Sequence, residues 1–304
     1  SFYKSLRILL NDHFWAISIS ALLFTSPLFV VYGISFVTDV PAFSFVLIAL
    51  YYLLEYHLKH KRKLFFLSMA FFALAGLLKI SSLIAFVFIL FILLIESLSV
   101  KSLTDKKLFK CDRYEWLGFI SVILAIFSWY YYAEYYNTLH RMKYTFNSIY
   151  PIWNMKRENI GGLLRNVNNF PSYVFFSSSV LSVLLFIGIQ NLFLWKKIPV
   201  FAFLSNVLII VGSFLYFILW GPLMGNHDYY YAALLIIFVG ILLPFIWFIK
   251  TNHNEIYRGY LTKLFMSVFV IFSFLYCVNV VKLKTLAKVG DFNMVRNHDF
   301  VILM

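Results

Sequence analysis

The chain has 304 residues, 62% of them hydrophobic and 13% charged, against roughly 25% charged residues in an ordinary soluble domain. That composition excludes a soluble globular domain and makes the chain an integral membrane protein, with membrane lipids as its surroundings. The formal net charge of +13 falls in short basic clusters between apolar runs, the positive-inside pattern, so no nucleic-acid partner is expected.

In chain order, Lys4 and Arg7 open an N-terminus that reads as cytoplasmic. The chain starts at Ser1 with no initiator Met and no signal-peptide cleavage site, and further sequence is expected upstream. A first span is predicted from about His13 to Val37, long enough to cross a hydrocarbon core of roughly 30 Å. Pro41 opens a second span, as a proline tolerated at a helix start. It ends in His57-Leu58-Lys59-His60-Lys61-Arg62-Lys63, whose cations mark the cytoplasmic side. Asp39 in the connection between these spans then lies on the opposite, extracytoplasmic side.

The stretch 64–96 is ambiguous. A single helix of that length would reach roughly 50 Å, and Lys79-Ile80-Ser81-Ser82 interrupts it. Two short spans turning at Lys79 keep the later basic clusters (101–113, Lys196 with Lys197, and Lys250, Arg258 and Lys263) on the cytoplasmic side, and this reading is adopted. Further spans are predicted at about 114–133, 173–194, 200–220, 230–249 and 264–281. The fold class is therefore all-α, a polytopic bundle over 1–281 of about nine spans with the N-terminus inside and the C-terminus outside. The long outer loop 134–172 carries Arg141, Lys143, Lys156, Arg157 and Arg165, and Ile160, Leu163, Leu164 and Val167 at helical spacing predict a short amphipathic helix within it. The tail 282–304 is polar until Asp299-Phe300-Val301-Ile302-Leu303, which reads as the first strand of a further domain.

Three polar features fall on the outer side: Asp39, Lys79, and the segment Asn226-His227-Asp228-Tyr229-Tyr230-Tyr231. Ionisable groups at helix ends on one face commonly bind a charged substrate. Each also has a plain structural explanation. Asp39, or Thr38 beside it, would cap the helix that Pro41 starts, Lys79 would snorkel to the interface, and the tyrosines would form an aromatic belt. Cys111 and Cys277 lack the spacing of a disulfide framework or zinc site, and no phosphate-binding, dinucleotide-binding, HExxH or GxSxG motif occurs.

Three segments resemble the polytopic glycosyltransferases of the GT-C superfamily, in particular the bacterial relatives of protein O-mannosyltransferases and of the aminoarabinose transferase that modifies lipid A. They are Ser26-Pro27-Leu28 through Asp39-Val40-Pro41, Leu74-Ala75-Gly76-Leu77-Leu78-Lys79, and Asn226-His227-Asp228-Tyr229-Tyr230, in the family's order. The resemblance implies a sugar moved from a polyprenyl-phosphate-linked donor to a lipid, glycan or protein acceptor, with inversion at the anomeric carbon, on the outer face of what is expected to be a bacterial inner membrane. It implies that Asp39 takes the family's second acidic position, the principal base lying upstream of Ser1. Lys79, Arg141 and His227 would offset phosphate charge, with Asp228, Tyr229 and Tyr230 completing the donor site. No cofactor is indicated; a divalent metal would suit a carboxylate facing a phosphate, but no ligand cluster is visible. The alternatives are a transporter or lipid-carrier-binding protein, in which the same groups bind without bond breaking, and an O-antigen ligase or polymerase.

Overall fold

The computed structural model describes residues 1–35, 37–98, 108–141, 151–156, 160–163, 174–198, 200–224 and 227–302, with side chains described only as far as residue 284. Helix α1 (Phe2–Leu10) buries Phe2, Leu6 and Leu10 and ends in a left-handed Asn11, φ 47°. The Asp12 carboxylate then accepts the Trp15 N–H at 3.2 Å and starts α2 (His13–Phe24).

The predicted first span is broken. Pro27 has no N–H to give to the preceding turn and opens a new helix, α3 (Pro27–Gly33), which leaves α2 at 67°. Helix α4 (Asp39–Lys59) begins two residues before Pro41, with Asp39 in its first turn. Helix α5 (Arg62–Leu78) stops at Lys79, a 3₁₀ turn covers Ile80–Leu83, and α6 (Ile84–Ser97) follows. The chain reverses here. Phe86 of α6 lies 5.3 Å from Phe72 of α5, and Glu96 at the far end of α6 accepts the Phe109 N–H at 2.9 Å, with Phe109 beside Phe65 near the start of α5. The hairpin read from the basic loops is the one observed.

Helix α7 (Arg113–Leu139) starts with a capping box in which Asp112 and Glu115 each accept the other's backbone N–H. It runs past the predicted 133, so part of the expected outer loop is helix. Helices α8 (Ser178–Phe193), α9 (Val200–Met224), α10 (Leu235–Asn252), α11 (Asn254–Arg258) and α12 (Tyr260–Ile302) complete the fold, with a 3₁₀ segment Asp228–Leu234 leading into α10. Residues 160–163 are helical, while the remainder of the expected amphipathic helix, including Leu164 and Val167, lies outside the described residues.

Two expectations need correction. Six helical segments among the described residues are long and apolar enough to cross a membrane, or seven if α2 and α3 count as one bent span, not about nine. The difference lies in α5 and α8, which at 17 and 16 residues are shorter than the other six. The strand expected at 299–303 is also absent: residues 299–302 continue α12, and residue 303 lies outside the described residues. Five apolar residues do not distinguish strand from helix, and no strand occurs among the described residues.

Apolar packing forms two groups. One joins α1–α4 to α8–α12; the other joins α4 to α5, α6 and α7, with α4 contributing to both. Close approach in the second depends on Gly118, where an added Cβ would stand 2.5 Å from the Phe65 ring. The basic ends collect at one face. Arg62 pairs with Asp112 at 3.4 Å and lies 4.0 Å over the Tyr114 ring, and Lys250 donates to the Leu10 carbonyl at 2.6 Å. The two packing groups meet along the middle of α4, around residues 46–50, and the first turn of α4 lies at the face opposite the basic ends.

Candidate functional site

The break between α5 and α6 carries Lys79, and its backbone is tied down on every side. Lys79 donates its N–H to Ala75 C=O at 2.9 Å, and its own carbonyl accepts from Ser82 N at 3.1 Å and Ser82 Oγ at 2.8 Å. The Tyr130 hydroxyl of α7 accepts from Ile80 N at 3.1 Å and donates to Gly76 C=O at 3.3 Å, bridging the gap in the helical ladder. With these main-chain groups paired, the side chain is presented inward. Lys79 is 9% exposed, so it does not snorkel to water. Its Nζ stands 3.5 Å from Asp39 Oδ1, 4.0 Å over the Tyr230 ring and 5.9 Å over the Tyr229 ring.

Asp39 is 4% exposed, and neither carboxylate oxygen receives a hydrogen bond among the described residues. It is therefore not a helix cap in this structure; the N-cap position belongs to Thr38, whose side chain makes no capping bond either. A buried carboxylate held by one long ion pair leaves most of its acceptor capacity unused, which is costly in an apolar surrounding. A polar group kept at such cost inside a membrane bundle is a candidate binding group.

A second pair adjoins the first. Tyr32 of α3 donates its hydroxyl to Asp228 Oδ1, and Lys284 of α12 pairs with Asp228 Oδ2 at 2.6 Å while lying 5.9 Å over the Tyr32 ring. Tyr32 meets Tyr229 edge-on at 5.8 Å, and His227, Tyr229 and Tyr230 stack in sequence with centroids 5.2 and 4.9 Å apart. The Tyr216 hydroxyl of α9 donates to the Tyr230 carbonyl at 2.8 Å and fixes this segment from below. The result is an aromatic wall flanked by two Lys–Asp pairs.

Of the residues named from sequence, the structure brings Asp39, Lys79, His227, Asp228, Tyr229 and Tyr230 into one cluster. Arg141 is not among them. It is exposed, two residues past the end of α7 and eleven past Tyr130, roughly 16 Å farther along the helix axis. Asn226 lies outside the described residues. Sequence reasoning missed Tyr32, Tyr130, Tyr216 and Lys284. Lys284 carried a usable signal, since a cation at the end of a span assigned to the outer side runs against the positive-inside bias.

An apolar cleft of about 590 Å³ lies between α6, α7 and α9, beside the turn that carries Lys79. Ile80, Ser81, Tyr216 and Trp220 stand at its upper end, next to the Lys79 turn, and Phe91, Ile123 and Leu208 line it farther down. Among the described residues no three His, Cys, Asp or Glu side chains converge as metal ligands.

Residues 1–132 match the family model described as dolichyl-phosphate-mannose-protein mannosyltransferase, a stretch that contains both Asp39 and Lys79. No curated protein and no solved structure matches the chain.

Proposed function

We infer, from a chain whose residues 1–132 match the family model described as dolichyl-phosphate-mannose-protein mannosyltransferase, that it transfers a sugar from a polyprenyl-phosphate-linked donor. The sugar is mannose and the acceptor a protein hydroxyl, following the family description. Transfer takes place at the cluster around Asp39 and Lys79, on the face opposite the basic loops and so outside the cytoplasm by the positive-inside bias.

The observation that carries this reading is the buried pair itself. Asp39 accepts no well-formed hydrogen bond among the described residues and has only the long contact with Lys79 at 3.5 Å, while Lys79 is held over tyrosine rings by the turn. A lipid-linked sugar brings what the pair lacks. Its phosphate takes the Lys79 ammonium, and a positioned cation stabilises the negative charge that grows on phosphate as the glycosidic bond breaks. Hydroxyls of the sugar or acceptor supply donors to Asp39. The faces of Tyr229 and Tyr230 suit the C–H face of a pyranose, and the cleft between α6, α7 and α9 gives the isoprenoid chain an apolar channel beside the same turn.

The test is turnover of polyprenyl-phosphate mannose by the full chain in lipid vesicles. Lys79→Met is expected to insert normally and lose about tenfold or more in rate, equivalent to about 1.4 kcal/mol. Lys79→Arg is expected to keep part of the activity, because its charge persists with altered geometry. Wild-type turnover in Lys79→Met would overturn the assignment.

A further inference from the structure

We propose that Lys284 is a positioning residue of the transfer site: it clamps Asp228 and, through it, sets the aromatic wall that Lys79 faces. The proposal rests on the transferase reading for its catalytic consequence, though the clamp itself is argued from contacts alone.

Both oxygens of Asp228 are committed, Oδ1 to the Tyr32 hydroxyl and Oδ2 to Lys284 Nζ at 2.6 Å. A carboxylate occupied in this way, with a cation already neutralising it, is poorly suited to act as a base or to meet a phosphate. It is well suited to join three chain segments far apart in sequence: the tilted half-helix α3, the 3₁₀ segment that opens α10, and the end of the span in α12. The side chains of the Lys284–Asp228 pair are 24% and 20% exposed, so the pair is partly shielded from water and from salt. Its mechanical reach is short. Tyr32 touches Tyr229 at 5.8 Å, and Tyr229 and Tyr230 are the rings beneath the Lys79 ammonium. Releasing Lys284 leaves Asp228 with one partner, frees α3 to change its tilt, and lets the wall shift against Lys79.

Two readouts on the full chain in lipid test this. The first is a spin-label distance between positions 34 and 283, both exposed, in a background with Cys111 and Cys277 replaced. The distribution is expected to broaden in Lys284→Met and to narrow again in Lys284→Arg. The second is turnover of polyprenyl-phosphate mannose. Lys284→Met should lower kcat by about tenfold, the order expected when a catalytic group is misplaced, with donor KM changed by less than about twofold. In a double-mutant cycle, Asp228→Asn with Lys284→Met should lose no more than Lys284→Met alone. An unchanged distance distribution in Lys284→Met overturns the clamp. So do losses that multiply in the cycle, which would mean that Lys284 acts on substrate independently of Asp228. Broadened distances in a full-length protein, sequence upstream of Ser1 included, whose wild type does not turn over the mannosyl donor would sustain the clamp and refute the transferase reading instead.

Discussion

The two ends of the bundle both bury carboxylates, and they treat them in opposite ways. At the basic face, Glu115 is 2% exposed and accepts the Tyr56 hydroxyl, the Lys110 N–H at 3.1 Å and the Asp112 N–H at 3.2 Å. Glu96 is 1% exposed and accepts two backbone N–H groups, from Leu108 and Phe109, at 2.9 Å each. These carboxylates staple the connection before α7 to the helices beside it. At the other face, Asp39 is as deeply buried and accepts no hydrogen bond among the described residues. A satisfied buried charge stabilises the fold that satisfies it; an unsatisfied one costs the fold, and under the transferase proposal the donor or acceptor offsets that cost. Burial alone does not separate the two roles, whereas the count of filled lone pairs does.

Substitution at each end can break that contrast. The largest stability effect is expected for Glu115→Leu, which leaves the Tyr56 hydroxyl and two backbone N–H groups without their acceptor at roughly 1 kcal/mol apiece, about 3 kcal/mol together. Thermal unfolding in detergent should show it, and an unchanged midpoint would mean that the staple is idle. Asp39→Asn removes no well-formed hydrogen bond but strips the buried Lys79 ammonium of its counter-charge, so its stability cost, at most about 3 kcal/mol, should come from that unpaired cation and be recovered when Lys79→Met is added to Asp39→Asn. Its turnover should fall about tenfold or more, a loss of about 1.4 kcal/mol or greater in transition-state stabilisation. A stability loss that persists when Lys79→Met is added to Asp39→Asn would place Asp39 with the staples. The smallest effect is expected for Arg62→Met at the basic face. Its ion pair with Asp112 is 3.4 Å long with the Arg62 side chain 60% exposed, so less than about 0.5 kcal/mol should be lost. A larger loss would point to the stacking of Arg62 on Tyr114.

The fold class and the hairpin at Lys79 were legible because hydropathy and the placement of cations are local signals that survive in one dimension. So was the meeting of Asp39, Lys79 and the His227 segment, since topology alone puts those ends on one face. The bend at Pro27 was written in the sequence but overridden by the length of the apolar run around it. The short α5 and α8 were counted as spans for the same reason. Tyr32 and Lys284 were not legible. Their roles depend on a pairing across 56 residues in one direction and 196 in the other, and no period or motif records such a contact. Arg141 was drawn in by its charge, but α7 continues past the predicted end and carries it away from the site.

The hydroxyl of Tyr130 that splices the α5–α6 break has a consequence for the lipid environment. Helix α7 has 27 residues, roughly 40 Å of helix against a hydrocarbon core of roughly 30 Å, so it must tilt or protrude to match the bilayer, and its tilt follows bilayer thickness. Because that hydroxyl ties Ile80 and Gly76, on either side of Lys79, to α7, a change of bilayer thickness that re-tilts α7 would bear on the Lys79 turn through Tyr130 as well as through the turn's own bonds.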